Sequence, residues 1–276
     1  MGLLSKTLSV ADSIKNKDDS TAEKLSFEDF FQKYDLCCCA IFSPFENNYV
    51  ITHSVGFDAV SLISSISTKD FWNGTVKSNN WETFSSNEEL LPFFQLFSFN
   101  QKDKINKIFI KRFNDKIFMI CSTNESKFIA NDKITNDLEL IYFETEKVEC
   151  ENDDFSIALS KNQNVYKFSL NAQNAIEAII KKNLSKLEYE SVIKDAIKKE
   201  IYYFLKKSFS QNAIIFQHDD VYNIALISEG EVFENVLKMH LMGELEYFFD
   251  TEVNALIFTS HGKANSYKNL IDFLKS

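Results

Sequence analysis

Apolar positions along this chain switch between a period of 3.6 and a period of two. The clearest example spans 185–228. Tyr189, Val192, Ile193, Ala196, Ile197, Ile201, Phe204 and Leu205 stand at offsets 0, 3, 4, 7, 8, 12, 15 and 16, one continuous stripe of an α-helix. Ser185 and Glu188 have capping-box spacing and predict its start. Lys206 and Lys207 suit the negative end of its dipole. Two short apolar runs, 212–216 and 221–228, then flank Gln217-His218-Asp219-Asp220. Aspartate tolerates turn geometry and bonds nearby backbone, so a hairpin is predicted there.

The same reading applies to the rest of the chain. Residues 1–25 carry only Leu4, Leu8, Val10 and Ile14 as a helical hint and read as a mobile arm or docking segment. Ser26 and Asp29 open a short helix, and 36–43 and 49–54 flank a turn at Pro44-Phe45-Glu46-Asn47-Asn48. Gly56 and Asp58 break the pattern before a short helix over 60–66. The polar stretch 67–86 holds Phe71, Trp72, Trp81 and Phe84, so it reads as a packed flap. Ser86 with Glu89 starts a helix that Pro92 limits. Asn114-Asp115 between 104–113 and 116–122 gives a two-residue hairpin, and 138–143 reads as a strand.

The acidic run 144–154 marks a boundary. Beyond it come strands at 155–160 and 165–170, a helix at 171–184, and the 185–228 unit. A helix at 231–249 follows, burying Val232, Val236, Leu237, Leu241, Leu245 and Phe248, then a strand at 253–259 and a helix at 266–274. The predicted fold class is α+β with two domains, 26–145 and 146–276. Each is a mainly antiparallel sheet with helices packed on it. The second is ferredoxin- or palm-like, with its helices on one face.

Composition narrows the function. The formal net charge is −10, and Arg112 is the single arginine among 30 basic residues; nucleic-acid binding is not expected. No apolar run approaches membrane-spanning length, and the first 22 residues lack a secretion signal. A cytoplasmic protein follows, with its five cysteines reduced. The glycosylation patterns at Asn73, Asn124 and Asn183 are then accidental, and Lys6 stands where myristoylation needs Ser or Thr. Adjacent Cys37, Cys38 and Cys39 alternate faces on a strand and so read as core residues, not a metal knuckle.

Candidate chemistry is sparse. The six glycines form no phosphate-binding loop, and there is no Gly-x-Ser-x-Gly elbow. No cofactor is predicted. The metal-like set His218, Asp219, Asp220 and His261 is set aside, because the hairpin turn and the last strand fall at opposite edges of the expected sheet, roughly 20 Å apart by strand length. His53 and Asp58 flank Gly56 near the flap; with Trp72 and Trp81 they are the expected ligand pocket.

Two resemblances add to this. The element order around Phe216-Gln217-His218-Asp219-Asp220-Val221-Tyr222-Asn223-Ile224-Ala225-Leu226, with Ala255-Leu256-Ile257-Phe258-Thr259-Ser260-His261-Gly262 as a last strand, resembles nucleotide-cyclase and diguanylate-cyclase (GGDEF-type) domains. Their signature turn contains two glycines; this turn has none, and 165–170 offers no carboxylate for a metal. The resemblance implies a degenerate, non-catalytic copy. The first unit resembles GAF- and PAS-type sensor modules through the strand pair 37–54, Gly56-Phe57-Asp58, the aromatic flap and the hairpin 104–122; longin- and profilin-like domains share that architecture. The expectation is a non-enzymatic sensory or protein-interaction protein. It binds a small ligand in its first domain, and contacts a protein partner or itself. The alternative is an enzyme with an interdomain site built from residues such as His53, Asp58, Asp219 and Asp220.

Overall fold

The computed structural model describes residues 25–77, 79–139, 141–142, 163–209, 212–250 and 255–276. The arm, the acidic boundary run and the predicted strand at 155–160 lie outside them, apart from Leu25. The first unit runs β1 (Leu25–Ser26), α1 (Phe27–Lys33), β2 (Cys38–Phe45), β3 (Asn48–Val55), α2 (Ala59–Ser64), β4 (Ser67–Thr68), α3 (Lys69–Thr75), β5 (Glu82–Phe84), α4 (Asn87–Leu90), a 3-10 turn (Leu91–Leu96), α5 (Phe99–Lys102), β6 (Lys107–Phe113), β7 (Lys116–Ser122), α6 (Asp132–Glu139) and β8 (Ile141–Tyr142). The second runs β9 (Asn164–Asn171), α7 (Gln173–Asn183), a 3-10 turn (Leu187–Tyr189), α8 (Glu190–Phe209), β10 (Ala213–His218), β11 (Val221–Ser228), α9 (Glu234–Phe249), β12 (Ile257–Lys263) and α10 (Tyr267–Leu274).

This is the expected α+β architecture. The first sheet has the order β4-β3-β2-β7-β6-β5 and the second β10-β11-β9-β12. Every pairing in both is antiparallel. Taken from β9 onward, the second order is 2-3-1-4, the ferredoxin-like arrangement. Two-residue turns close the hairpins β6–β7 and β10–β11, with Asn114 at φ 56 and Asp219 at φ 52, residue types that enter the left-handed region at least cost. Between β2 and β3 the turn is shorter than predicted, and Glu46 takes the left-handed position.

Strand alternation sorts the core. Cys38, Ala40 and Phe42 enter one cluster, while Cys39 and Ile41 enter another on the opposite face. Burial raises the pKa of both Cys38 and Cys39, so both stay as packed thiols. In the second sheet, Tyr166, Phe168 and Leu170 join the large cluster, while Val165 meets Leu270 and Leu274 of α10. Helices therefore cover both faces of that sheet, not one. The reason is visible in β11, where Tyr222 and Ile224 face one side and Ala225 and Ile227 the other.

The large cluster is continuous from the first sheet to the second, and α8 lies along it with Ile193, Ile197 and Ile201 fully buried. This helix begins later than predicted. Residues 187–189 form a 3-10 turn, so no capping box closes over Ser185 and Glu188. The turn brings the Tyr189 hydroxyl to 2.5 Å from Asn48 Nδ2 and its ring against Phe45. Further differences are local. Leu138 belongs to α6, and among the described residues of the predicted strand Ile141–Tyr142 are extended. The last strand starts four residues later than expected, at Ile257. Val236 of α9 is exposed while Leu241, Leu245 and Phe248 are buried.

Candidate functional site

The residues predicted to share a pocket are dispersed by the sheet. Trp72 is fully buried in the large cluster and donates Nε1–H to Ser67 Oγ at 2.8 Å. Trp81 packs with the cluster on the other face, donating to Thr135 Oγ1 at 3.1 Å beneath the Lys111 ammonium. The aromatic flap is thus a set of short elements, β4, α3 and β5, that sends one tryptophan to each face. Asp58 is buried as the N-cap of α2. It accepts from Ser61 N at 2.7 Å and from the Ser98 hydroxyl. Both oxygens are committed, which is the role of a structural cap. His53 is half-buried on β3, its Nδ1 3.2 Å from Thr52 Oγ1. Burial, helped by Lys199 and Lys116, holds its pKa down to about 3, so it stays neutral.

Two cavities do exist among the described residues. One, of about 460 Å³, opens beside the former flap and is lined by Thr75, Lys77, Glu82, Phe84 and Glu89. It is a shallow opening between α3, β5 and α4. The other, of about 670 Å³, lies over the α10 face of the second sheet, within the range of small-molecule sites. Its lining includes Ser169, Lys194, Lys198, His218, Asp219, Asp220, Asn223 and His261.

Each side chain of this cleft has a local cause. Lys194 and Lys198 are one helical turn apart on α8 and so share a face. The Tyr222 hydroxyl donates to the Lys198 carbonyl at 2.8 Å, which seats the helix against β11. Asp220 closes the β10–β11 turn. Its Oδ1 lies 2.8 Å from Lys198 Nζ and its Oδ2 lies 3.4 Å from Lys194 Nζ. Oδ1 is shut off from solvent and makes no other bond, so the two ammonium groups are what compensate it. Asn223 donates to the Phe273 carbonyl at 3.1 Å and ties the floor to α10. On the far wall, Ser169 Oγ and His261 Nε2 are 2.8 Å apart, with the Phe273 ring against the imidazole.

The cleft brings together residues that the sequence placed at opposite edges. The turn leads into β11 at Val221, which is level with Asn171 of β9 and Ile257 of β12, and His261 stands four residues farther along β12. Side chains from both places line the one cavity, and no metal-holding group occurs among the described residues. Asp219 and Asp220 line this cleft; His53 and Asp58 do not. Lys194 and Lys198 share the lining with Asp219 and Asp220, so the formal charges of the cleft balance, and both ammonium groups are held on Asp220. Serine beside histidine also has the form of a nucleophile and base, but such a base needs a third group to orient it, and the His261 ring packs on Phe273.

One further buried carboxylate escaped the sequence reading. Glu200 on α8 is 4% exposed. Its carboxylate accepts from Gly56 N at 3.0 Å and Phe57 N at 3.3 Å. Burial raises its pKa to about 7, against the lowering effect of those amides. Gly56 has φ 86, and an added Cβ would lie 2.6 Å from the Cys37 carbonyl oxygen, so only glycine fits this junction. Gln101 completes it, donating to the Gly56 carbonyl at 3.0 Å. The signal was present: Glu200 is three residues from Ile197 and four from Ala196, inside the apolar stripe. No helix among the described residues is long and apolar enough to cross a membrane. No protein-family model and no curated protein matches this sequence.

Proposed function

We propose a non-enzymatic sensory and protein-interaction role in which a small anionic molecule occupies the second-sheet cleft. One observation carries the reading: Lys198, which lines the cleft, and Glu200, which holds Gly56 and Phe57 of the first unit, are two residues apart on the same helix. A ligand that draws Lys194 and Lys198 from Asp220 changes the load on α8, and α8 is the element that both sheets share. A phosphate or carboxylate group is the kind of anion that Lys194 and Lys198 take in exchange for Asp220. The absence of a glycine turn beside Asp219 and Asp220 supports a degenerate cyclase-like second unit.

The test is thermal unfolding of the purified chain against a panel of phosphorylated and carboxylated metabolites. At least one raises the Tm of the wild-type chain and leaves K194A/K198A unchanged. A panel without any shift refutes the ligand reading, and turnover of GTP with Mg²⁺ to cyclic products refutes the non-enzymatic one.

A second reading rests on the Ser169–His261 pair in the same cleft. If Ser169 is a nucleophile, a fluorophosphonate probe labels it, and H261A abolishes labelling. An unlabelled wild-type chain removes this reading.

A further inference from the structure

We infer that the solvent face of α9 is the docking site for a basic amphipathic helix of a partner protein. The helix is anchored by Leu241, Leu245, Phe248 and Phe249, all buried. On its opposite side Phe233, Val236, Met239 and Tyr247 are 73%, 66%, 75% and 44% exposed. Phe233, Val236, His240, Gly243 and Tyr247 alternate three and four residues, the seam spacing of paired helices, and Met239 borders that seam. A Cβ added at Gly243, in the middle of that seam, would meet nothing within 4 Å, so a second backbone can approach there. The Tyr247 hydroxyl donates to the Asn100 carbonyl at 3.5 Å. This carries the apolar row toward Phe99, itself 77% exposed. Single exposed apolar residues are ordinary; a row of them on one helix marks a contact surface.

Charge selects the occupant. Between Glu229 and Asp250 stand six carboxylates (Glu229, Glu231, Glu234, Glu244, Glu246 and Asp250) and one ammonium, Lys238, a formal balance of 1 − 6 = −5. None of the seven makes an ion pair among the described residues. Two copies of this face would bring like charge to like charge, and an anionic lipid surface would be repelled in the same way. A helix whose apolar stripe is bordered by Lys or Arg satisfies both the row and the surrounding carboxylates.

The test uses the full chain and two fluorescent model peptides of about 18 residues, long enough to hold a helix. One has Leu and Lys in amphipathic register, the other Leu and Glu. Anisotropy is expected to show saturable binding of the Leu/Lys peptide, weakened at least about tenfold, or 1.4 kcal/mol, by V236E/M239E. E244K/E246K is expected to weaken it too, with the apolar row intact. All four positions are exposed, and circular dichroism verifies that the variants stay folded. The inference is overturned by equal binding of the Leu/Glu peptide, by undiminished binding to V236E/M239E, or by no saturable binding. It is also overturned if light scattering finds a wild-type dimer that V236E/M239E dissolves, since the occupant is then a second copy.

Discussion

Two buried carboxylates mark the two sides of helix α8, Glu200 carried by the helix and Asp220 packed against it, and they are compensated in different ways. Asp220 is answered by cations: Lys198 at 2.8 Å and Lys194 at 3.4 Å. Glu200 is answered by the backbone amides of Gly56 and Phe57, at 3.0 and 3.3 Å. An ammonium brings a full charge to its partner. Amides bring only dipoles. Burial outweighs them at Glu200 and lifts its pKa to about 7. The cleft side is therefore held by ion pairs, and the first-sheet side is a buried clasp whose strength depends on a proton.

The sharpest way to break the contrast is to remove the cations. K194A/K198A leaves Asp220 buried without compensation, which costs on the order of 3 kcal/mol of stability, measured by urea unfolding at neutral pH. Adding Asp220→Asn should restore most of that loss, because a neutral amide needs no cation. A double variant as stable as wild type would show that solvent already screens Asp220.

The proton comes next. Glu200 has a folded-state pKa near 7 against an ordinary 4.5, so between those values the folded chain holds a proton that the unfolded chain has released. Stability from this group is therefore complete below about pH 4.5 and lost as pH rises through 7. Relative to E200Q, which cannot ionise, the wild-type chain should lose about 2–3 kcal/mol between pH 5 and pH 8. Parallel pH profiles for the two proteins would mean that Glu200 titrates like an exposed carboxyl. A change to E200A at pH 5 should cost about 2 kcal/mol, since it strands the Gly56 and Phe57 amides; E200Q, which retains an acceptor, should cost less.

The same contrast explains what the chain's pattern could and could not tell. Hairpin turns at Asn114-Asp115 and Asp219-Asp220 were legible because a left-handed residue is a local requirement. The α8 stripe was legible because its period is local too. The destination of each side chain was not. Trp72 and Trp81 look alike on one polar stretch, yet Trp72 stands on α3 and Trp81 leads into β5, and they pack on opposite faces of the sheet. Ser185 and Glu188 have ideal capping spacing, but the contacts of Tyr189 with Asn48 and Phe45 hold that segment in a 3-10 turn. His261 looked remote from the turn because a strand position does not tell how far its side chain reaches, and the imidazole reaches back to Ser169. Glu200 has no apolar or motif signature of its own; only its position within the stripe points to a buried partner.

The smallest expected effect probes the outer wall of the cleft. His261 is exposed, and its bond to Ser169 competes with water. H261A removes one such bond and one edge of contact with Phe273, and no buried charge is left behind. The loss should be under about 1 kcal/mol, read by urea unfolding, and it should be independent of changes at Glu200. Sites that share no partner add within a few tenths of a kcal/mol, so H261A/E200A should equal the sum of its parts. Coupling above about 0.5 kcal/mol would mean instead that the cleft wall and the Gly56 clasp move together through α8, and the two carboxylates would then be ends of one switch, not two separate solutions to burial.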